Sequence, residues 1–237
     1  MRKLCILIII LLSNFSLVGC RKPIKEYRDE NFIYDYRSYM NEDWIYLKAL
    51  TKEGKEKEYL VVPNKYNGYP VRLEGYGILQ DQLDIRSDKL IKIYISNEIK
   101  NLANFYTGDD VKIICISNNI LSFTDNNKNY VSLKFYEELN EKGKIKSNKI
   151  YPANLSYQYN YEDAPNDGYY WLDDYDNENI VFIPQDPVRI GYIFGGWYKE
   201  EECINKWDFG DDIIPAKEYD DKNKYIINET ILYAKWI

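Results

Sequence analysis

One short pattern occurs twice in the middle of this chain and limits what the surrounding segment can fold into. The residues Ile95-Ser96-Asn97-Glu98-Ile99 are matched, 21 positions later, by Ile116-Ser117-Asn118-Asn119-Ile120. Each copy follows an apolar run typical of a strand, Leu90–Tyr94 in the first and Val111–Cys115 in the second. Because such repeats bury their apolar faces only against their neighbours, we expect a short solenoid of two or three copies, with any third copy beginning at Val62.

The segment around these copies resembles a known repeat family. Val61–Val71 looks like the opening of the BspA-like leucine-rich repeats of bacterial surface proteins. Leu90–Phe105 looks like the next repeat, and Phe123–Tyr130 like its Asn-rich connection. The resemblance implies inward positions for three apolar residues, namely Ile99, Leu102 and Phe105. It covers about residues 44–135, and we assign residues 44–136 to a short β-rich leucine-rich-repeat-like unit.

Upstream of the repeats, β-rich runs alternate with polar stretches. Trp44–Leu50 and Tyr59–Val62 flank a polar turn that contains Gly54, so we predict a hairpin. Residues 20–43 are polar and charged with scattered tyrosines. We interpret them as a spacer that contains one strand at Phe32–Tyr36.

The most specific pattern lies near the C-terminus. The block Gly191–Tyr198 reads GYIFGGWY, and the block Leu232–Trp236 reads LYAKW. Both resemble the hallmarks of the internalin B-repeat, also called the Listeria–Bacteroides repeat. The resemblance implies a small β-grasp-like domain with little helix over residues 151–237. Its opening strand would fall within Leu155–Tyr161, and Tyr169–Asn179 would be an insertion.

The residue patterns of this module support further predictions that do not depend on the resemblance. Ile180–Ile183 reads as a buried strand ended by Pro184. Gly195-Gly196 favours a bulge or a close backbone approach. Alternation along the last strand places three residues on one face, namely Leu232, Ala234 and Trp236. Three tryptophans are candidate core anchors, namely Trp197, Trp207 and Trp236.

A polar, charged stretch separates the two units. Residues 137–150 are predicted to form the linker. The charge balance changes across it, because residues 20–150 carry 22 basic and 20 acidic groups, whereas residues 151–237 carry 7 and 18. This asymmetry supports two units.

The N-terminal segment combines a basic start, a short apolar run and a cysteine. Arg2 and Lys3 precede the nine apolar residues Leu4–Leu12, which are too few for a transmembrane helix of about 20 residues but suit a signal peptide. Leu17-Val18-Gly19-Cys20 resembles the lipobox of bacterial lipoproteins. The resemblance implies that residues 1–19 are a removed signal peptide and that lipid on Cys20 anchors the chain to a membrane. In the alternative, an ordinary secretory signal, Cys20 is incidental.

Several kinds of chemistry are excluded or disfavoured. None of the 237 residues is histidine, which excludes His-dependent triads, His-ligated zinc and haem with a proximal His. The net charge of −7 argues against nucleic-acid binding. Asp173–Glu178 lacks EF-hand spacing, with Asn179 and Gln185 at the required Gly and Glu positions, and is interpreted as a solvated acidic loop. Cys115 and Cys203 are interpreted as buried thiols, with a disulfide as the alternative.

Together these patterns predict a mainly β protein, with α+β as the alternative class, on the outer surface of a bacterial cell. We expect no enzyme activity, cofactor or metal, since no phosphate loop or nucleophile elbow occurs. The expected role is adhesin-like binding of host or cell-surface protein or glycan. The alternatives are a structural stalk or envelope component and, less favoured, an envelope hydrolase. The ligand-binding residues are not identified, and the 25 tyrosines suit either a core or a binding surface.

Overall fold

The structure is a computed structural model, and it describes twelve stretches of the chain. They are residues 25–73, 83–96, 98–99, 101–102, 105–116, 122–123, 129–131, 150–175, 181–216, 218–219, 225–226 and 228–237. Within them the helical elements are two 3-10 turns, Gly54–Glu56 and Asn166–Gly168. The prediction of a mainly β protein is therefore confirmed. No helix in these stretches has the length and hydropathy needed to cross a membrane.

Twenty strands occur in the described residues. The first fourteen are β1 (Glu26–Arg28), β2 (Phe32–Tyr39), β3 (Glu42–Leu50), β4 (Tyr59–Val62), β5 (Lys65–Tyr66), β6 (Tyr69–Arg72), β7 (Leu83–Asp84), β8 (Lys92–Ile95), β9 (Asn101–Leu102), β10 (Phe105–Tyr106), β11 (Lys112–Cys115), β12 (Ser122–Phe123), β13 (Asn129–Val131) and β14 (Ile150–Tyr151). The last six are β15 (Leu155–Gln158), β16 (Tyr169–Asp173), β17 (Phe194–Tyr198), β18 (Glu218–Tyr219), β19 (Tyr225–Ile226) and β20 (Thr230–Trp236).

The first sheet has the order β1-β2-β3-β6-β5 and includes much of the segment predicted to be a spacer. Strands β2 and β3 pair antiparallel across a two-residue turn in which Met40 and Asn41 both have positive φ. Phe32 and Tyr34 of β2 are buried in the core. The interpretation of this part of residues 20–43 as a spacer is therefore corrected, because it contributes to the packed core.

The predicted hairpin between Trp44–Leu50 and Tyr59–Val62 is wrong. Strand β3 pairs with β2 and β6, whereas β4 pairs with β8. The intervening Gly54 packs so closely that a Cβ there would lie 2.2 Å from the backbone oxygen of Asn31. After this close approach the chain leaves the first sheet, and β4 pairs with β8 in the next one.

The repeats stack as parallel strands in the order β14-β13-β11-β8-β4. Val62 pairs with Ile95, so the third copy is a strand of the same sheet. Ile93 pairs with Ile113, 20 residues away, whereas Leu102 of β9 pairs with Phe123, 21 residues away. The main sheet thus pairs the two copies one residue out of the register of the sequence repeat, with Ile95 opposite Cys115 rather than Ile116.

The inward positions predicted at Ile99 and Leu102 are confirmed, because both side chains are buried in the core beneath this sheet. The side chain of Phe105 lies outside the described residues. Membership of the BspA-like family stays a prediction.

Both faces of the parallel sheet are covered. Ile93 and Ile95 of β8 belong to the core that the solenoid shares with the first sheet. Tyr94, between them, belongs to a second core together with Trp171 and Leu172 of the C-terminal module. A parallel sheet covered on two sides explains why its strands read as continuous apolar runs.

The C-terminal sheet has the order β16-β15-β20-β17. Strands β15 and β20 are parallel neighbours, and β16 and β17 flank them antiparallel. The predicted opening strand is β15, and the predicted bulge is confirmed by a register shift between Phe194 and Trp197. Leu232 and Ala234 are buried, and Trp236 packs against the same core.

Three expectations for this module need correction. The described part of Ile180–Ile183 is not a strand, since Pro184 and Pro187 just after it provide no N–H for a ladder. Ile183 is exposed rather than buried. The stretch predicted to be an insertion contains β16, which pairs directly with β15. Among the predicted anchors Trp197 is buried, whereas Trp207 and Trp236 are half-buried. The sequence analysis missed Trp171, a buried residue of β16.

Candidate binding surface

Two sets of sequence predictions cannot be placed in this structure. The signal peptide 1–19 and Cys20 lie outside the described residues, so the lipid anchor stays a prediction. Residues 137–149 of the predicted linker also lie outside, and β14 spans the predicted boundary at residue 150. The boundary itself stays a prediction.

The acidic residues at the end of β16 are not a solvated loop. Asp173 is fully buried, and its Oδ1 lies 3.1 Å from the Lys92 ammonium of β8. The Tyr94 hydroxyl donates to Asp173 Oδ2 at 3.0 Å. Asp174 is also buried and pairs with Lys112 of β11 at 2.9 Å. These two ion pairs join the C-terminal module to the solenoid sheet.

Aromatic rings surround the Lys92–Asp173 pair. The Tyr94 ring stacks on Phe182 at 4.7 Å and lies 4.9 Å from the Trp171 ring. The Lys92 Nζ atom lies 5.9 Å from the centre of the Tyr175 ring. This interface is buried and charged, and its carboxylates are already engaged by lysines. No group of three or more metal-ligating side chains occurs in the described part of the chain.

The two remaining cysteines are free thiols. Cys115 is buried in the solenoid, and burial raises its pKa. Cys203 is only half-buried, which corrects its predicted burial, and the Asn160 amide donates to its sulfur at 3.3 Å. Burial also raises the pKa of Cys203. The disulfide alternative does not occur in this structure.

A different set of residues forms an open surface at one end of the C-terminal sheet. Arg189 and Tyr192 are the ends of a tight turn closed by the Tyr192 N–H, which donates to the Arg189 carbonyl at 3.2 Å. Gly191 occupies the third position with φ +83°, a conformation that favours glycine. The turn places the guanidinium on the tyrosine, with Arg189 Cζ 3.8 Å from the centre of the Tyr192 ring.

Two more rings complete the environment of this guanidinium. Arg189 Cζ lies 4.2 Å from the centre of the Tyr161 ring and 5.9 Å from that of Trp236. The Trp236 indole N–H donates to the Tyr159 carbonyl at 2.6 Å, which fixes that ring. No carboxylate within the described stretches forms an ion pair with Arg189. Its N–H donors therefore remain available to a ligand.

Exposed aliphatic residues lie in and beside this turn. Four of them are between 70% and 96% exposed, namely Val188, Ile190, Ile193 and Ile237. Ile193 and Ile237 exchange two backbone hydrogen bonds, of 2.8 and 2.9 Å, which hold the chain end beside the turn. We call these four residues, together with Tyr161, Arg189, Tyr192 and Trp236, the Arg189 surface.

The sequence analysis did not single out the Arg189 surface. It placed Tyr192 and Trp236 in module signatures and did not consider Arg189. One signal was available, because a turn glycine directly after Arg189-Ile190 predicts an exposed isoleucine at the turn.

A second open feature is a shallow pocket of about 450 Å³ lined by Lys206, Trp207, Asp208, Phe209 and Gly210. Its carboxylate, Asp208, already serves the local loop. Asp208 Oδ1 accepts from the Gly210 N–H at 2.8 Å, and Asp212 is engaged by the Asp208 N–H and by Lys199. The pocket therefore has no carboxylate that is not already engaged within its own loop.

Comparison with known proteins gives one family for part of the chain. Residues 155–220 match the family model of the Listeria-Bacteroides repeat domain. The match confirms the resemblance over these residues, including the Gly191–Tyr198 block and the Arg189–Tyr192 turn, and ends before the Leu232–Trp236 block. No solved structure matches this chain.

Proposed function

We propose that this chain is a non-catalytic cell-surface protein that is held to a membrane by lipid on Cys20 and binds protein or glycan through the Arg189 surface. The observation that carries the proposal is a turn whose arginine is stacked on aromatic rings and which has exposed aliphatic residues in and beside it. Exposed apolar clusters of this kind mark interaction sites, and aromatic residues and arginine are enriched at interfaces.

The match to the Listeria-Bacteroides repeat domain supports a surface role. The chemistry near Arg189 also favours binding over catalysis. Its described neighbours are tyrosine and tryptophan rings and aliphatic side chains, which provide neither a nucleophile nor a general base at neutral pH. Such a surface can hold a ligand but has no group to transform it.

The second candidate function is a structural stalk. The observation that favours it is the set of two ion pairs, the buried Lys92–Asp173 and the partly exposed Lys112–Asp174, which fasten the two units together. A rigid body suits display or spacing above a membrane. In that case the Arg189 surface has no specific ligand.

Binding by the purified full chain in mild detergent separates these two functions. The chain is titrated onto immobilised host matrix proteins and glycans, alongside Arg189→Gln and Ile190→Ser variants. We expect saturable binding that both variants weaken. Saturable binding that is equal in all three proteins contradicts the assignment to this surface. The absence of saturable binding to every probe favours the stalk.

The anchor is tested separately with radioactive palmitate in bacterial cells. The wild-type chain and a Cys203→Ala control should take up label, and Cys20→Ala should not. Label that persists in Cys20→Ala refutes the anchor, whatever the binding experiment shows.

A further inference from the structure

We propose that the ligand of the Arg189 surface is a polypeptide that presents one carboxylate between apolar side chains. This inference rests on the proposed binding function and specifies the class of partner. Three properties of the surface carry it: the held guanidinium, the exposed aliphatic residues in and beside the turn, and the charge of the module.

The guanidinium is held in advance of binding. Its contacts at 3.8 and 4.2 Å with Tyr192 and Tyr161 restrain its plane, and Trp236 lies close by. Rings that cover a guanidinium leave its edge as the route for hydrogen bonding, and that edge matches a carboxylate in bidentate geometry. Because little side-chain freedom remains to be lost, this arginine is prepared for an anionic ligand.

The aliphatic residues decide between ligand classes. Val188 and Ile190 flank Arg189 in the chain, Ile193 follows the turn, and Ile237 is bonded to Ile193 through the backbone. All four side chains are largely exposed. An acidic sugar could satisfy Arg189, but its hydroxyl-covered surface would leave these side chains without apolar contacts. A polypeptide with aliphatic or aromatic residues on both sides of an Asp or Glu satisfies both parts of the surface.

The charge of the module argues against an anionic membrane. Residues 151–237 carry 18 acidic and 7 basic groups, whereas attraction to anionic lipid depends on several clustered basic residues. Two of these seven cations are also engaged, since Lys199 pairs with Asp212 and Lys235 lies 4.9 Å from the Tyr198 ring. The same excess of acid disfavours a polyacidic partner and favours a single carboxylate.

A peptide selection on the full chain tests this inference. Random peptides displayed on phage are selected against the chain in detergent, and the enriched peptides are synthesised. We expect an Asp or Glu flanked by apolar residues. Changing that residue to its amide, or changing Arg189→Gln, should weaken binding at least about tenfold, and the two changes together should weaken it little further. Arg28→Gln, at an exposed arginine of the first sheet, is the matched control and should bind as wild type.

A second variant guards against loss of folding. Ile190 is 96% exposed, so Ile190→Asp should keep the wild-type unfolding midpoint while repelling the peptide carboxylate. Enriched peptides without an acidic residue, or acidic peptides that bind equally to Arg189→Gln and Ile190→Asp, overturn the inference.

Glycan and vesicle probes distinguish failure of the polypeptide inference from failure of the proposed binding function. Arg189-dependent binding of sialyllactose or polygalacturonate, with no peptide enriched, overturns the polypeptide inference and leaves the binding function standing. Arg189-dependent binding to vesicles of equal parts phosphatidylcholine and phosphatidylglycerol replaces it with a membrane contact. Absence of saturable binding to peptides, glycans and vesicles removes both proposals.

Discussion

Replacing Lys92 with methionine should destabilise the whole folded chain rather than one unit of it. The change keeps most of the side-chain volume and removes the ammonium group that faces Asp173 at 3.1 Å. The two side chains are 1% and 0% exposed, so water cannot take over the role of the lost cation.

The magnitude follows from what remains around the carboxylate. Asp173 keeps the hydrogen bond from the Tyr94 hydroxyl at 3.0 Å and the one from its neighbour's backbone N–H at 2.7 Å. These two donors do not neutralise its charge. Removing one partner of a buried ion pair typically costs about 3–5 kcal/mol, a large part of the roughly 5–15 kcal/mol that stabilises a domain.

Urea unfolding of the full chain, followed by tryptophan fluorescence, measures this cost. We expect Lys92→Met to lower the free energy of unfolding by about 3–5 kcal/mol. The double variant Lys92→Met/Asp173→Asn should lose less than the sum of the single changes, with a coupling of about 1–3 kcal/mol. Lys57→Met breaks an exposed pair with Glu30 and should cost no more than about 1 kcal/mol.

Two results would refute the reasoning. One is a cost for Lys92→Met that equals that of the exposed control. The other is additivity of the Lys92 and Asp173 changes to within about 0.5 kcal/mol, which would mean that the two groups do not interact.

Three further changes test other parts of the structure. Burial raises the pKa of Tyr157, so its contribution to stability is complete below about pH 10 and falls above it by about 1.4 kcal/mol per pH unit; because burial also raises the pKa of Tyr34 and Tyr170, denaturation at rising pH should show a smaller loss in Tyr157→Phe than in wild type, and equal losses would contradict this assignment. Gly54→Ala places a Cβ 2.2 Å from the Asn31 carbonyl oxygen and should cost about 1–3 kcal/mol, whereas Gly108→Ala places its Cβ 3.3 Å from a methyl group of Val111 and should cost less; equal unfolding midpoints would contradict this contrast. Ile190→Ser should leave the free energy of unfolding unchanged within about 0.5 kcal/mol, and a larger loss in urea titration would mean that this isoleucine supports the fold.

Local patterns in the sequence predicted the repeat strands and the bulge. The stacked strands around Ile95 and Ile116 and the bulge at Gly195-Gly196 could be anticipated because each is specified by residues close together in the chain. The hairpin prediction failed because it assumed that β3 pairs with the next strand in sequence. In the structure Gly54 packs against the backbone of Asn31, and β4 pairs with β8 instead of β3.

The candidate site was less predictable. A lysine in the run Leu90–Tyr94 gives no sign that its partner is Asp173, 81 residues later. Arg189 likewise meets Tyr161 and Trp236 only because β15 and β20 end near the same turn. Such contacts depend on tertiary packing, which neither spacing nor composition specifies.

The parallel pairing of β15 with β20 determines how the C-terminal module would carry mechanical load. Tension between a membrane-held N-terminus and a ligand beside Trp236 would pull the two strands lengthwise in opposite directions. Their pairs, from Leu155–Thr230 to Gln158–Tyr233, would then be loaded in shear, so the hydrogen bonds would have to break together rather than one at a time. Resistance of this kind is set by the rate of unfolding and not by the equilibrium stability of the module.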